Sequence, residues 1–130
     1  MASAASQHEQ GAAAYNRGDY ATAYRLFRPL ADQGDAFAQA YLGVMYDNGK
    51  GVPQDYAAAV RWYRKSADQG NAVAQFNLGF RYANGKGVPQ DYAAAVRWYR
   101  KAADQGQAVA QTNLEALCAA HPTTTGCPYP

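Results

Sequence analysis

Cys118 and His121 stand three residues apart, a helical spacing that can set a thiol beside an imidazole base for nucleophilic catalysis. Pro122 breaks the helix at that point, and no third group stands by to orient the ring. The pair is therefore not assigned a catalytic role. The other histidine, His8, lies near the opposite end of the chain. No HExxH or GxSxG motif occurs. Asn48-Gly49-Lys50-Gly51 has the glycines and lysine of a phosphate loop, but it joins two helices rather than a strand to a helix. Asp32, Asp68 and Asp104 recur at helix ends and read as turn chemistry rather than as paired acids. The residues imply no enzyme, no cofactor and no metal.

The two cysteines carry the other chemistry. Cys118 and Cys127 flank a polar, bendable stretch, AAHPTTTG. A disulfide between them ties the tail to the last helix and contributes about 2–3 kcal/mol on chain-entropy grounds. The alternative is two free thiols, with Cys118 a small buried apolar residue. A bridge implies an oxidising compartment, the periplasm or the outside of the cell. Free thiols imply the cytoplasm. The start, MASAASQHEQ, shows no basic region followed by an apolar core. A net charge of +2 is too small to imply nucleic acid or an anionic membrane as partner. No apolar run approaches the ~20 residues of a membrane span.

The elements that position these groups are helices. Hydrophobic residues make up 48% of the 130, with 11 tyrosines. Alanine favours helix and lets helices approach, and large aromatics fill the remaining space. NGKGVPQDYAAAVRWYRK occurs twice without a change, 36 residues apart, and ADQG occurs three times at the same interval. Such a period is the mark of a solenoid. Each unit reads as helix, loop, helix. Ala38, Gln39, Leu42, Gly43 and Tyr46 share one face of the first helix. Gly43 in mid-helix costs about 1 kcal/mol against alanine, and close approach of a neighbouring helix is the expected reason. Gly49 stops that helix, and Asp55 caps the next. Seven helices are predicted, at about 5–16, 19–32, 35–47, 55–68, 71–83, 91–104 and 107–119. The fold class is all-α, a single solenoid domain of about three and a half repeats. Residues 1–34 form a shorter first unit, its connector lacking five residues. Full repeats follow at 35–70 and 71–106, then a capping helix at 107–119 and a tail at 120–130.

The stretch LG..Y.NGKGVPQDY..AVRWYRKSADQGNA.AQ resembles the Sel-one-like repeat, a branch of the tetratricopeptide superfamily. The Gly-x-Gly-Val-x-x-Asp connector and the Trp-Tyr-x-Lys-x-Ala segment recur in phase, and the likeness is strong over 34–114. It implies a right-handed superhelix of antiparallel helix pairs, with the first helix of each pair on the concave side. It also implies an adaptor or scaffold for proteins and peptides, often in bacterial envelopes.

Comparison of the units then points to a site. The second helices are copied letter for letter from Asp55–Lys65 to Asp91–Lys101, while the first helices differ. Ala40, Tyr41, Val44, Met45 and Asp47 in one unit become Phe76, Asn77, Phe80, Arg81 and Ala83 in the next. A generic frame with a tailored inner face predicts a partner-binding groove of Phe37, Tyr41, Val44, Met45, Phe76, Asn77, Phe80 and Arg81. Asn77 would meet a peptide backbone, and Arg81 a partner carboxylate. Packing of the aromatics against neighbouring helices is the competing reading. Trp62 and Trp98 read as inter-repeat packing. Arg61, Arg64 and Lys65, with their copies Arg97, Arg100 and Lys101, read as solvated stripes. Self-association through the open ends, or a consensus repeat without a natural ligand, are the functional alternatives. An envelope enzyme is the remotest reading.

Overall fold

Aspartate and asparagine decide where the helices begin. Asp19, Asp35, Asp55, Asn71 and Asp91 each accept a hydrogen bond from the backbone N–H three residues on, satisfying a donor that the first turn leaves unpaired. The computed structural model describes residues 3–127. It contains α1 (Ala4–Asn16), α2 (Tyr20–Asp32), α3 (Ala36–Asn48), α4 (Tyr56–Asp68), α5 (Ala72–Asn84), α6 (Tyr92–Asp104) and α7 (Ala108–Ala120). Each helix has 13 residues and is about 20 Å long. Among the described residues there are no strands. Gly49 and Gly85 end α3 and α5 at φ 65° and 69°, a left-handed turn that glycine adopts without strain. The seven helices match the sequence expectation to within a residue or so at each end.

Each helix packs on the ones before and after it in sequence, and α3 also touches α5. The result is an α-solenoid with three stacked core clusters. The first centres on Phe27, Leu42 and Met45, the second on Tyr63 and Leu78, and the third on Tyr99 and Leu114.

One device holds every pair together. A Cβ on Gly79 would sit 2.8 Å from Tyr99 of α6, and a Cβ on Gly11 would sit 2.6 Å from Phe27 of α2. A Cβ on Gly43 would run into the Tyr63 ring in the same way. The bare backbone of each first helix thus receives an aromatic ring from the second. This is the reason for the mid-helix glycine that the sequence signalled. The same register corrects the first unit. Gly11 stands eight residues before the Asp19 cap, whereas Gly43 stands twelve before Asp55, so the first connector lacks four residues rather than five. Tyr15 consequently occupies the place of Asp47, not of Tyr46.

Buried glutamines link successive pairs. Gln39 and Gln75 donate to the carbonyls of Ala31 and Ala67 at 3.1 and 3.3 Å. Gln69 and Gln105, just past the ends of α4 and α6, donate to Gln39 Oε1 and Gln75 Oε1 of the same repeat, each at 2.8 Å, and to the Gly34 and Gly70 carbonyls of the repeat before. Most buried polar groups in these junctions therefore have partners.

The tail imitates a connector. In the repeats, Gly51 and Gly87 press against the backbone carbonyls of Tyr20 and Tyr56, and the following Val52 and Val88 pack on the core. At the end of the chain a Cβ on Gly126 would sit 2.8 Å from Val96, and Cys127 packs on the third cluster. Arg100 donates to the Gly126 carbonyl at 2.8 Å, and His121 stacks on Tyr92 at 4.0 Å. Cys118 and Cys127 are disulfide-bonded. The bridge fastens this mock connector to α7. Cys127→Ser is expected to cost about 2.5 kcal/mol, read as a lower urea midpoint, and dithiothreitol should produce the same loss in the unaltered protein.

Candidate binding face

The exposed large hydrophobics among the described residues are Phe37, Val73, Phe80 and Val109, at 39–56% exposure. Phe37 stands on α3, Val73 and Phe80 on α5 and Val109 on α7. All four are on first helices. The second helices α2, α4 and α6 instead show exposed Arg25, Arg61, Lys65, Arg97 and Lys101.

Between α3 and α5 lies a cleft of about 350 Å³ lined by Phe37, Ala40, Tyr41, Val44, Asn71 and Val73. Val44 also borders a second cleft of about 290 Å³, shared with Asp47, Asn77, Phe80 and Arg81. The two form an apolar groove along the helices with a polar end. Phe37 lies over His8, 4.6 Å between ring centroids, and His8 Nε2 is 2.7 Å from Asp35 Oδ2. That contact fixes α1 against the start of α3, a place for His8 that sequence reasoning did not find. Tyr41 stacks on Phe27 at 4.4 Å and presents its remaining edge to the groove.

Two of the sequence-predicted groove residues, Met45 and Arg81, stand differently, and Phe76 is shared between the groove and the core. Met45 is fully buried in the first cluster. It follows Leu42 by three positions, so the two share the core face of α3. Phe76 is half-buried: it lines the second cleft and also leans on Tyr99 at 5.7 Å, giving part of its ring to the third cluster. Arg81 does meet a carboxylate, but the chain's own. Its Nε and Nη2 donate to Asp47 Oδ2 at 3.2 and 3.1 Å. Tyr63 donates to the same oxygen at 2.8 Å. Burial first, and then the adjacent Asp47 charge, push the Tyr63 hydroxyl well above the ordinary phenol range. It stays a neutral donor. The Arg81 guanidinium lies between the rings of Tyr56 and Phe80, 5.0 and 5.1 Å away. Nη2 is also 3.0 Å from Asp47 Oδ1, near enough for charge pairing. Its hydrogen bond runs to Oδ2, however, and leaves Oδ1 buried without a donor. Asn77 stands beside it and makes no hydrogen bond among the described residues.

The outer helices are less uniformly solvated than their charge suggested. Arg28 lies over Trp62 at 5.4 Å, and Arg64 over Trp98 at 5.8 Å. Arg64 also donates to the Tyr82 hydroxyl. These stacks tie one repeat to the next, in keeping with inter-repeat packing for the tryptophans. Among the described residues, no group of three or more His, Cys, Asp or Glu is placed to hold a metal. No described helix is long and apolar enough to cross a membrane.

Stacked helix pairs with aromatic latches, linked by glutamines and apolar along one face, define an α-solenoid repeat protein. The Sel1 repeat profile matches residues 4–35, 36–71 and 72–107, and the chain belongs to the Sel1 repeat family. Proteins of this family are generally protein-interaction scaffolds, typically without catalysis. The chain is similar to a protective antigen of uropathogenic Escherichia coli displaying an SLR fold. The two are 45% identical with a TM-score of 0.79, over 85% of this chain and 25% of that one. A Sel1 repeat protein of Oxalobacter formigenes is 36% identical with a TM-score of 0.83, over 91% and 49% of the two chains. Cysteine-rich protein B of Helicobacter pylori is 26% identical with a TM-score of 0.67, over 71% and 69%. The chain thus spans a quarter of the first and about half of the second. No curated protein matches.

Proposed function

We propose that the protein binds a protein or peptide partner non-covalently on the face formed by its first helices. The carrying observation is that every exposed large hydrophobic among the described residues lies on α3, α5 or α7. Scattered apolar residues on a surface need no explanation, but a contiguous stripe on one face of a scaffold marks contact. The exposed side of α7 supports this reading over self-association there. Where Gly43 and Gly79 receive a ring, α7 has Glu115, and where Ala40 and Phe76 stand, it has Thr112. A polar face of this kind meets water rather than the apolar face of a second copy. The disulfide supports a working place in an oxidising compartment, the periplasm or the outside of the cell.

Phe37→Ala with Phe80→Ala tests the face, because both rings are substantially exposed and the core keeps its own residues. Truncating two aromatic anchors at about 2 kcal/mol each is expected to cut partner retention well over tenfold. The readout is mass spectrometry of proteins held from a cell-envelope extract on immobilised protein, with unchanged helical circular dichroism. Arg61→Ala with Arg97→Ala, on the opposite side, should retain the same set. Equal retention by the Phe37/Phe80 variant would remove the proposal.

A further inference from the structure

Resting on that reading, we infer that the groove between α3 and α5 takes an apolar, neutral-to-basic peptide segment, and not an acidic one or a free carboxyl terminus. The segment places an apolar side chain in the cleft of Phe37, Tyr41, Val44 and Val73, and meets the Asn77 amide with its backbone.

The charge on the face decides the sign. Among the described residues, Arg81 is the one cation bordering either cleft, and its charge is cancelled at 3.0 Å by Asp47. A carboxylate entering there would have to displace a hydrogen-bonded internal partner from a site that is nine-tenths closed to water. Removing one member of such a pair leaves the other uncompensated, a loss that a single new ion pair does not clearly repay. Asn71 is committed as well, since its side chain caps α5 by accepting from Ala74 N–H. Asp47 offers no open acceptor either, since it is 8% exposed and its Oδ1 is buried 3.0 Å from Arg81 Nη2. The polar group left to meet a peptide backbone at that end is the Asn77 amide, which borders the second cleft and can both donate and accept. At the other end of the face the charge is negative. Glu9 of α1 is exposed, at the position that corresponds to Tyr41 when Gly11 is aligned with Gly43.

Size agrees with this occupant. Volumes of about 350 and 290 Å³ fall at the bottom of the ~300–1,000 Å³ range of ligand sites. Each suits a side chain or two on a continuous backbone better than a large cofactor. The groove runs with the helices, and α3 and α5 give it about 20 Å.

The test is selection of a random twelve-residue peptide library, displayed on phage, against the immobilised full chain with its disulfide intact. Enriched sequences are expected to carry an aromatic or branched aliphatic residue and to be depleted in Asp and Glu. A synthetic peptide of the enriched sequence, amidated at its C-terminus, should bind as well as the free acid. Its affinity should change less than threefold between 50 and 500 mM salt. Val73→Asp should weaken it more than tenfold, and a flanking Ala→Glu change in the peptide should weaken it where Ala→Lys does not. Peptides that need Phe37 and Phe80 but are acidic, or lose binding on amidation, would overturn this inference and leave the binding face standing. Peptides indifferent to Phe37→Ala with Phe80→Ala would overturn both.

Discussion

Asp47→Ala is expected to destabilise the protein by about 3–5 kcal/mol, a large part of the stability of a domain this size. The substitution strips Arg81 of its counter-charge and Tyr63 of its acceptor at once. Arg81 cannot recover by turning to water, since its side chain is 13% exposed and lies between two rings. The chain carries its own control one repeat later. There Ala83 stands in the place of Asp47, Leu117 in the place of Arg81, and Tyr99 in the place of Tyr63. The Tyr99 hydroxyl is served by Asn113, whose counterpart is Asn77. The double variant Asp47→Ala, Arg81→Leu therefore rebuilds the later junction at the earlier one, with Asn77 free to take the Tyr63 hydroxyl. Replacing a whole buried pair by apolar groups is commonly close to neutral, so the double variant should lie within about 1 kcal/mol of the parent. Urea unfolding of parent, both single variants and the double closes the cycle, and a coupling of at least about 2 kcal/mol is expected. A double variant as unstable as the sum of the singles would mean that the ion pair does more than neutralise itself.

That network also shows where sequence reasoning reaches and where it stops. The helices were legible because their signals are local: a capping Asp, a 3.6-residue apolar period, a glycine past the last turn. The stacking was legible because the 36-residue period is written letter for letter. Gly43 announced a close neighbour through its own cost, although only the structure shows that the neighbour is Tyr63. Arg81 and Asp47 are 34 residues apart and meet only because α5 sits beside α3 at a particular height. The sequence did hold a hint, since the step from one repeat to the next exchanges Met45 for Arg81 and loses Asp47 to Ala83 together. That exchange becomes an ion pair only once the offset between stacked helices is known. Met45 was misplaced for a simpler reason. A helical wheel gives a side chain's direction within one helix, while its burial depends on which neighbours stand there. The tail was half legible. The cysteine pair suggested a bridge, but Gly126-Cys127 stands three residues out of phase with Gly87-Val88, which hid its likeness to a connector.

The second large effect is expected at Gly43. Gly43→Leu should cost about 3 kcal/mol, because a side chain there must displace the Tyr63 ring from the backbone of α3. Better helix propensity offsets only about 1 kcal/mol of the clash. Gly70→Ala separates packing from backbone strain. Gly70 has φ 96° with no atom within 4 Å of an added Cβ, so its variant should show only the dihedral cost, about 1 kcal/mol. Gly43→Leu combined with Tyr63→Ala should fall short of the summed single losses, since the ring that clashes is gone. Urea midpoints of these four variants decide the matter, and a Gly43→Leu protein no weaker than Gly70→Ala would show that the latch is loose. The consequence reaches the binding face. The latch sets how near α3 lies to α4, and α3 carries Phe37, Tyr41 and Val44 on its free side. A Gly43→Leu protein that still folds should therefore bind the selected peptide more weakly, with every groove side chain unchanged.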